Sequence, residues 1–351
     1  MLVTGAASGI GRAVAEQAAE QGAVLHLTDL QGDLLAEVAA GIRARGGQVA
    51  TAEPADVSDH EQVRRLARRV TERHGPMDVV LNVAGIAIWG TVRSLEPQHW
   101  QRLVDVNLMG PIHVIEEFLP PMIDAGRGGR LVNVSSAAGI IAMPWHAAYS
   151  ATKFGLRGVS EVLRYDLRRH RIGVSLVCPG GVDTGLVETI RIAGIDQHSR
   201  SFVRARKHFQ KRAVSPEQAA AAIWRGALRN RYWVYTSADI RLVHLLQRWF
   251  PPGYALAMRA FSLRRQPGPA RGRAGPPPGA CRERPDRARH VARGRPPRRR
   301  LRPGRRPGPG HRAAGGLPHP RAAPPAVLGV AALRRTADAR RTALPAGVGV
   351  W

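Results

Sequence analysis

The sequence is poor in cysteine and lacks long apolar runs. Its 351 residues include two cysteines, Cys178 and Cys281, which excludes a disulfide framework and favours a reducing compartment. No stretch of about eighteen uncharged apolar residues occurs, so no transmembrane helix is predicted. The opening residues 1–5 show no basic segment or apolar core of a signal peptide. We therefore expect a cytoplasmic protein. The first apolar run begins at residue 2, which favours a natural start upstream.

Acidic residues are scarce, and their shortage is concentrated at one end of the chain. The formal net charge is +27. Residues 1–263 hold 31 Lys and Arg against 23 Asp and Glu, a net charge of +8. Residues 264–351 hold 22 Arg, no Lys and three acids, a net charge of +19. The extreme charge is therefore a property of the C-terminal quarter.

The C-terminal quarter also lacks aromatic residues before Trp351, while it holds 16 of the 27 prolines. Such a composition cannot bury enough apolar surface to offset chain entropy. We predict a single folded domain over residues 1–263 and a disordered, low-complexity basic tail over 264–351. Three interpretations of the tail stay open: a GC-rich gene translated after a frameshift, an unstructured linker, or a basic arm. Nucleic acid is not the favoured partner, because no aromatic residues are interleaved for base stacking.

Residues 1–263 alternate short apolar runs with stretches of helical periodicity. Apolar runs on both sides of a strand, separated by helices, indicate a parallel sheet covered on both faces. The pattern predicts an α/β fold with a doubly wound parallel sheet of the Rossmann type. The predicted strands are 2–3, 23–28, 79–83, 130–134 and 173–177, and the predicted helices are 11–21, 31–44, 60–74, 97–122 and 149–170.

A glycine-rich loop follows the first predicted strand and opens the first helix. Glycines at Gly5, Gly9 and Gly11 allow a tight turn and a close approach of the backbone to a pyrophosphate. The spacing G-x-x-x-G-x-G differs from the commoner dinucleotide fingerprint, so the loop alone is a weak signal. The candidate cofactor-binding residues of this loop are Thr4, Gly5, Ser8, Gly9, Ile10 and Gly11.

An acid, Asp29, stands at the end of the second predicted strand. A carboxylate there can accept hydrogen bonds from ribose hydroxyls and repel a 2′-phosphate, which favours NAD over NADP. Two alternatives stay open. Asp29 could simply cap a turn at the strand end, and Arg12 beside Gly11 could meet a phosphate and soften the preference.

A tyrosine and a lysine lie four residues apart in Tyr149-Ser150-Ala151-Thr152-Lys153, on one face of a predicted helix. A neighbouring ammonium favours the phenolate, so Lys153 is expected to lower the pKa of Tyr149 towards neutrality. Tyr149 would then exchange a proton with a substrate oxygen. The spacing is common by chance. It gains specificity from Ser136, thirteen residues upstream at the end of a predicted strand, which can hold that oxygen.

These features together resemble the short-chain dehydrogenase/reductase family in its simple one-domain form, over residues 1 to about 263. The ordered matches are the loop 4–11, Asp29, Asp56-Val57, Asn82-Val83-Ala84-Gly85, Asn107, Ser136, the Tyr149/Lys153 pair and Pro179-Gly180-Gly181-Val182-Asp183-Thr184. One departure is Val83, where the family usually has a second Asn. A local repacking is expected there.

The resemblance implies a role for each matched residue. The predicted catalytic set is Asn107, Ser136, Tyr149 and Lys153, with Asn107 holding a water that links Lys153 to solvent. Lys153 would also bind the nicotinamide ribose. The further residues predicted to bind or shape the site of the cofactor are Asp56, Val57, Asn82, Ala84, Gly85, Pro179, Gly180, Val182 and Thr184. The resemblance also implies a homodimer or homotetramer, paired through helices 97–122 and 149–170.

The substrate is expected to be an alcohol or carbonyl compound. The residues that line its binding pocket are less easily predicted. The segments 86–89 and 140–146 are apolar with aromatic edges, which favours a bulky lipophilic substrate, unless several of these residues belong to the core. The basic segment 185–212 is a candidate lid. The stretch 240–263 mixes apolar, aromatic and arginine residues, which suits a subunit contact or a peripheral membrane contact.

Two alternative functions remain at this level. A cofactor-binding regulator on the same fold could lack catalysis, and the basic tail alone could bind nucleic acid. A complete proton-relay set argues against the first alternative, because a binding protein has no use for it.

Overall fold

The computed structural model describes residues 1–184, 191–193 and 213–265. Nine strands occur within these residues: β1 (Leu2–Thr4), β2 (Val24–Asp29), β3 (Gln48–Pro54), β4 (Val79–Asn82), β5 (Ile88–Gly90), β6 (Gly129–Val134), β7 (Ile172–Cys178), β8 (Arg191–Ala193) and β9 (Trp233–Tyr235). Seven of them form a parallel sheet in the order β3-β2-β1-β4-β6-β7-β9. β5 and β8 form a separate parallel pair.

The helices of the described residues connect these strands. They are α1 (Gly9–Glu20), α2 (Gly32–Ala44), α3 (His60–His74), α4 (Pro97–Val104), α5 (Gly110–Ala125), α6 (Ala147–Asp166), α7 (Pro216–Leu228), α8 (Ala238–Trp249) and α9 (Pro251–Arg265). A π-helical turn, Asp105–Met109, joins α4 to α5. Short 3₁₀ turns follow β6 at Ala137–Gly139 and α6 at Leu167–His170. No helix among the described residues is long and apolar enough to cross a membrane.

The sheet separates two apolar cores, one on each face. On one face Val3, Leu25 and Leu27 pack against α1, α2 and α7. On the other face Leu2 and Val80 pack against α3 and α5, where Phe118 is almost fully buried. Alternate residues of one strand thus serve opposite cores, which confirms the predicted doubly wound parallel sheet.

The strand order reverses between β1 and β4, and this reversal positions the site. Parallel strands on either side of such a switch point send their loops in opposite directions, which opens a crevice at the carboxyl edge. The loop 5–8 after β1 and the loop 83–87 after β4 border this crevice.

Several elements differ from the sequence-based expectations. β3 was not predicted because only Val49 of its seven residues is buried, as befits an edge strand with a wet face. The predicted helix 97–122 is interrupted by the π turn, and the stretch 240–263 breaks at Phe250–Pro251 into α8 and α9. The predicted tail and, apart from β8, most of the predicted lid lie outside the described residues.

Candidate active site

The glycine-rich loop leaves no room for side chains at its glycines. A Cβ built on Gly11 would lie 2.0 Å from the carbonyl oxygen of Gly5, and one built on Gly5 would lie 2.8 Å from the Ala84 backbone. Gly5 and Gly9 have φ values of 68° and 52°, in the region that favours glycine. The loop opens the N-terminus of α1. A tight glycine backbone turn at a helix N-terminus fits a pyrophosphate.

Two side chains hold this loop against the sheet. The Thr4 hydroxyl accepts hydrogen bonds from the backbone amides of Val83 (3.0 Å) and Ala84 (3.1 Å), which ties β1 to the loop after β4. The Asp29 carboxylate accepts the amide of Ala7 at 3.0 Å through Oδ2 and the amide of Gln31 at 3.0 Å through Oδ1. Asp29 is 8% exposed. Asp29 therefore caps the turn at the end of β2, which was one of the two alternatives raised by the sequence. It also lies at the edge of the glycine-rich loop.

Other predicted cofactor residues follow β3 and β4, at the carboxyl edge of the sheet. Asp56 accepts hydrogen bonds from the amide and hydroxyl of Ser58, and Val57 packs against Gly110 at the start of α5. A Cβ on Gly85 would lie 3.0 Å from Asn107 Oδ1 and 3.5 Å from Lys153 Nζ. The bare backbone of Gly85 therefore lets the loop after β4 approach the predicted catalytic residues.

The segment after β7 closes the other side of the cradle. The Pro179 carbonyl accepts the amide of Ala137 at 2.7 Å. The amide of Gly180 donates to Thr236 at 3.3 Å, and Val182 forms an isolated parallel bridge with Val214. Thr184 lies against Gly9, since a Cβ on Gly9 would be 3.0 Å from its side chain. The predicted residues of this segment and of the loop therefore meet at one edge of the sheet.

The structure brings Tyr149, Ser136 and Lys153 together at that edge. Tyr149 and Lys153 stand one turn apart on α6, and both are buried. A hydrogen bond links the Tyr149 and Ser136 side chains, and the Ser136 hydroxyl also accepts the amide of Ala138 at 3.1 Å. The Lys153 ammonium donates to the Val134 carbonyl at 3.1 Å and lies 5.8 Å from the centroid of the Tyr149 ring.

Burial sets the protonation of this pair. It raises the pKa of Tyr149, and the hydrogen bond from Ser136 offsets only part of that shift. Burial also lowers the pKa of Lys153 to about 8. The expectation that Lys153 lowers the pKa of Tyr149 is therefore not met in the free protein, because desolvation disfavours both charged forms. At neutral pH Tyr149 is a phenol, which can donate a proton.

Asn107 sits in the π turn between α4 and α5 and is fully buried. Its side chain donates to the Ile86 carbonyl at 2.8 Å and accepts the Ile86 amide at 2.8 Å. π turns are rare and shift the helical hydrogen bonds by one residue, often at functional sites. The side-chain amide of Asn107 thus ties the π turn to the loop after β4.

A buried polar chain beneath the pair was missed by the sequence analysis. Asn82 donates to Asn133 at 2.9 Å, Asn133 donates to Ser160 at 2.9 Å, and Ser160 donates to the Leu156 carbonyl at 2.7 Å. Asn82 is thus directed into the interior between β4 and β6. One feature of the sequence could have indicated this chain: Ser160 follows Lys153 by seven residues and so lies on the same face of the helix.

A second missed contact is made by Ser135, whose hydroxyl donates to the Lys153 carbonyl at 3.0 Å. The bond ties the end of β6 to the middle of α6. Together with the chain of Asn133 and Ser160, it fixes the height of α6 above the sheet and so the position of Tyr149.

Fewer residues line the predicted substrate pocket beside Tyr149 than the sequence indicated. Ile140 and Ile141 are buried in a core cluster with Leu176 and Ile240, so they are core residues and not pocket residues. Trp89 and His146 remain at the wall, with ring centroids 4.3 Å apart. The centroid of the His146 ring lies 6.2 Å from that of Tyr149.

The backbone before α6 is strained. Trp145 has φ of 67°, unusual for a bulky residue, and its carbonyl accepts the amide of Gly90 at 2.8 Å. This hydrogen bond holds β5 to the segment that carries His146. It therefore fixes the part of the predicted substrate pocket next to Tyr149.

Comparison with known proteins identifies the family. Residues 1–193 match the family model of the short chain dehydrogenases. The SadH protein of Mycobacterium tuberculosis is 36% identical over 258 residues, covering 72% of this chain and 91% of SadH. The 1-deoxy-11-beta-hydroxypentalenate dehydrogenase of Streptomyces avermitilis is 34% identical over 244 residues, covering 68% of this chain and 84% of that enzyme.

Solved structures agree with this result. A short-chain dehydrogenase/reductase from Burkholderia phymatum in complex with NAD has a TM-score of 0.63 and 29% identity, over 76% of this chain and 95% of that one. A metagenomic short-chain oxidoreductase in complex with NADP has a TM-score of 0.53 and 30% identity, over 67% and 93%. The chain belongs to the short-chain dehydrogenase/reductase family and is a dehydrogenase/reductase of that family.

Proposed function

We propose that the protein transfers a hydride between NAD(H) and a bulky lipophilic alcohol or ketone, with Tyr149 as the acid–base group. The observation that carries the proposal is the convergence of Tyr149, Ser136 and Lys153 at the edge of the sheet that also holds the glycine cradle. A binding protein without catalysis would not need a buried tyrosine beside a buried lysine.

The bound nicotinamide would supply the hydride for reduction or accept it in oxidation. For reduction, the substrate carbonyl oxygen would accept hydrogen bonds from Ser136 and Tyr149, and Tyr149 would deliver its proton to that oxygen. Because burial holds the pKa of Tyr149 above its ordinary value of 10.0, the phenol form is ready for this step at neutral pH. For oxidation, Tyr149 would take the proton back.

Lys153 would assist by its charge. With a pKa of about 8, its ammonium is present at neutral pH, where it favours negative charge on the Tyr149 oxygen as the proton leaves. Its bond to the Val134 carbonyl holds the ammonium near the Tyr149 ring, and Lys153 would also bind the nicotinamide ribose. Ser135 and Ser160 would act through α6, as positioning residues.

Replacement of the phenol tests the catalytic assignment. Tyr149→Phe keeps the ring and should lower turnover by about 10²- to 10⁴-fold, since general acid–base catalysis typically contributes that much. Tyr165→Phe, an exposed tyrosine on the same helix, is the matched control and should leave turnover unchanged. NADH absorbance measures both. Turnover of Tyr149→Phe equal to the control would remove Tyr149 from the mechanism and favour a silent regulator.

The preference for NAD over NADP rests on Asp29. Its buried carboxylate lies at the edge of the glycine-rich loop. The nearby Arg12 forms an ion pair with Glu16 at 3.1 Å, which argues against Arg12 as a ligand of the 2′-phosphate of NADP. Asp29→Asn removes the charge and keeps one of the two accepting oxygens. The ratio of NAD to NADP affinity should fall by about tenfold or more, since one repulsive charge is lost. An unchanged ratio would exclude Asp29 as the discriminating residue.

The lipophilic substrate class is supported by Trp89 and Met143, half-buried residues packed beside Tyr149. The pentalenate-type substrate in the name of one relative points the same way. A screen of steroids, retinoids, long-chain alcohols and sugars, followed by NADH absorbance, tests the class. Activity confined to sugars would contradict it.

Assembly and location are proposed on separate grounds. Phe154, Val162 and Tyr165 of α6 and Trp100 of α4 are exposed, which supports a homodimer or homotetramer through these helices. The single described cysteine, Cys178, is buried and unpaired, which is compatible with a cytoplasmic location.

A chain ending at residue 264 should still bind NAD. Failure to do so would show that the tail contributes to the fold.

A further inference from the structure

A groove rich in arginine lies at the open edge of the sheet, apart from the residues assigned to catalysis. It has a volume of about 430 Å³ and lies between α7, β9 and α8. The four guanidinium groups that line it belong to Arg225, Arg229, Arg231 and Arg241. All four residues are exposed.

The arginines of this groove have no carboxylate partner among the described residues. None of its described lining residues is acidic, and none of the four arginines makes an ion pair with a carboxylate among the described residues. Some other surface arginines are paired with carboxylates, as Arg12 is with Glu16 and Arg68 with Glu72. Four like charges around one groove repel each other, so the groove favours an anionic occupant.

An apolar stripe adjoins the groove on α8. Leu242, Leu245 and Trp249, spaced by three and four residues, are 67%, 43% and 77% exposed. On a helix this spacing places them on one face. Arg241, which lines the groove, and Arg248 flank the stripe on one side of the helix, and Arg248 lies 5.9 Å from the Trp249 ring centroid.

The exposed apolar surface continues past the end of α8. Phe250 and Leu256 are 58% and 69% exposed. Asp239, in the first turn of α8, is the single acid of the helix. An exposed apolar stripe bordered by arginines, with a tryptophan at its end, is the arrangement that lies in a bilayer interface. A soluble anion would satisfy the groove but would leave the stripe in water.

We propose that the α8–α9 face, formed by the arginine groove and the stripe of Leu242, Leu245 and Trp249, docks on an anionic phospholipid bilayer. Lipid phosphates contact the groove, and the stripe enters the boundary between headgroups and acyl chains. The basic residues 264–351 follow directly on α9 and carry a net charge of +19, which attracts the same surface.

The docked face also lies beside the substrate region. The hydroxyl of Tyr254, on α9, accepts the amide of Ala142 at 2.7 Å. Ala142 belongs to the segment 140–146 that leads into α6 and Tyr149. A lipophilic substrate leaving the bilayer would therefore meet the protein close to the catalytic edge. Docking itself does not depend on the proposed reaction.

Vesicle sedimentation of the full chain tests the proposal. Binding is compared on vesicles of phosphatidylcholine alone and of phosphatidylcholine mixed with phosphatidylglycerol, and binding to the mixed vesicles is expected to be stronger. The double variant Leu242→Ser/Leu245→Ser should weaken binding to mixed vesicles by about tenfold, for loss of apolar burial. Arg225→Gln/Arg241→Gln should weaken it by about tenfold or more, for loss of two charges near the surface.

Matched controls separate the face from general charge and from the tail. Val92→Ser removes an exposed apolar side chain elsewhere, and Arg65→Gln/Arg73→Gln removes two exposed arginines of α3. Both controls should bind like the parent chain. The basic tail is present in every variant, so its attraction cancels in the comparison. Variants of the face that bind as tightly as these controls would overturn the proposal.

Tryptophan quenching provides a second readout. Lipids brominated in the acyl chains should quench the fluorescence of the parent chain, and Trp249→Phe should lose part of this quenching while Trp100→Phe does not. Equal quenching in both variants would exclude insertion of the stripe. If the leucine variant changes the mass of the free protein in analytical ultracentrifugation and leaves vesicle binding unaltered, a second copy covers the stripe and the proposal fails.

Discussion

Gly11 offers a sharp test of the cofactor cradle, because the structure places backbone where its side chain would be. A Cβ on Gly11 would lie 2.0 Å from Gly5 O and 2.7 Å from Gly5 C. Ordinary contact begins at 3.4 Å, so the two backbones must separate by roughly 1.4 Å, the difference between 3.4 and 2.0 Å. Gly5 cannot adjust freely, since it packs against the Ala84 backbone in turn.

The expected cost of Gly11→Ala follows from two opposing effects. Overpacking of a well-packed site typically costs about 1–3 kcal/mol, and the upper end applies where both partners are backbone. Alanine inside a helix is favoured over glycine by about 0.5–1 kcal/mol, and Gly11 lies in the first turn of α1. The overpacking prevails, and the free energy of unfolding should fall by about 2 kcal/mol. For a domain of this size that lowers Tm by about 4–8 °C.

Binding of the cofactor should suffer more than stability. The displaced loop carries the backbone amides that would meet the pyrophosphate, and a shift of about 1 Å lengthens such hydrogen bonds beyond useful range. NADH affinity should fall by at least about tenfold. Fluorescence titration with NADH measures the affinity, and thermal denaturation with and without NADH measures both effects.

Gly22→Ala is the matched control for this prediction. Gly22 has φ of 80° just after α1, and a Cβ there meets nothing within 4 Å. The substitution should cost about 1–2 kcal/mol of backbone strain and leave NADH affinity unchanged. If Gly11→Ala bound NADH as tightly as Gly22→Ala, the loop would not be the cradle, whatever the two melting temperatures.

Three further outcomes are expected. Phe118→Ala removes a side chain that is 1% exposed and leaves a cavity, and urea denaturation should show a loss of about 3–5 kcal/mol in the free energy of unfolding. Burial lowers the pKa of His26 from 6.5 to about 4. The unfolded chain therefore binds the extra proton as pH falls from 6.5 to 4, and stability should drop by up to about 3 kcal/mol; His26→Gln should flatten that pH dependence in urea titrations. Because the pKa of Tyr149 is raised, ketone reduction should stay on a plateau through neutral pH, whereas alcohol oxidation should rise steadily above neutral pH; stopped-flow rates of reduction that rise with pH would contradict the assigned phenol.

Local patterns in the sequence predicted most of the sheet and the outline of the site. β2, β6 and β7 consist mostly of buried residues, and their ends differ from the predicted ends by at most one residue. α3 begins and ends at the predicted residues, since its apolar positions recur at helical spacing and Asp59 caps it. β3 was missed because this edge strand has only one buried residue, and β9 was missed because it is only three residues long.

Side-chain partnerships resisted prediction because they join residues distant in sequence. Asp29, at the end of β2, is tied to Ala7, in the loop after β1, by a hydrogen bond. Asn107 is tied to Ile86, and Ser135 to Lys153. Spacing along the chain says which residues can share a helix face, but it does not say which buried donor finds which acceptor across the sheet.

The sequence by itself determined the class of protein, because a glycine loop after a strand and a tyrosine–lysine pair one helical turn apart are local features. Tertiary structure decided what those features experience. The pKa of Tyr149 rises although Lys153 is near, since desolvation depends on everything packed around the ring. Ile140 belongs to the core and not to the substrate wall for the same reason. The arginine groove unites α7, β9 and α8 only when the chain has folded, because charges from separate elements meet through packing.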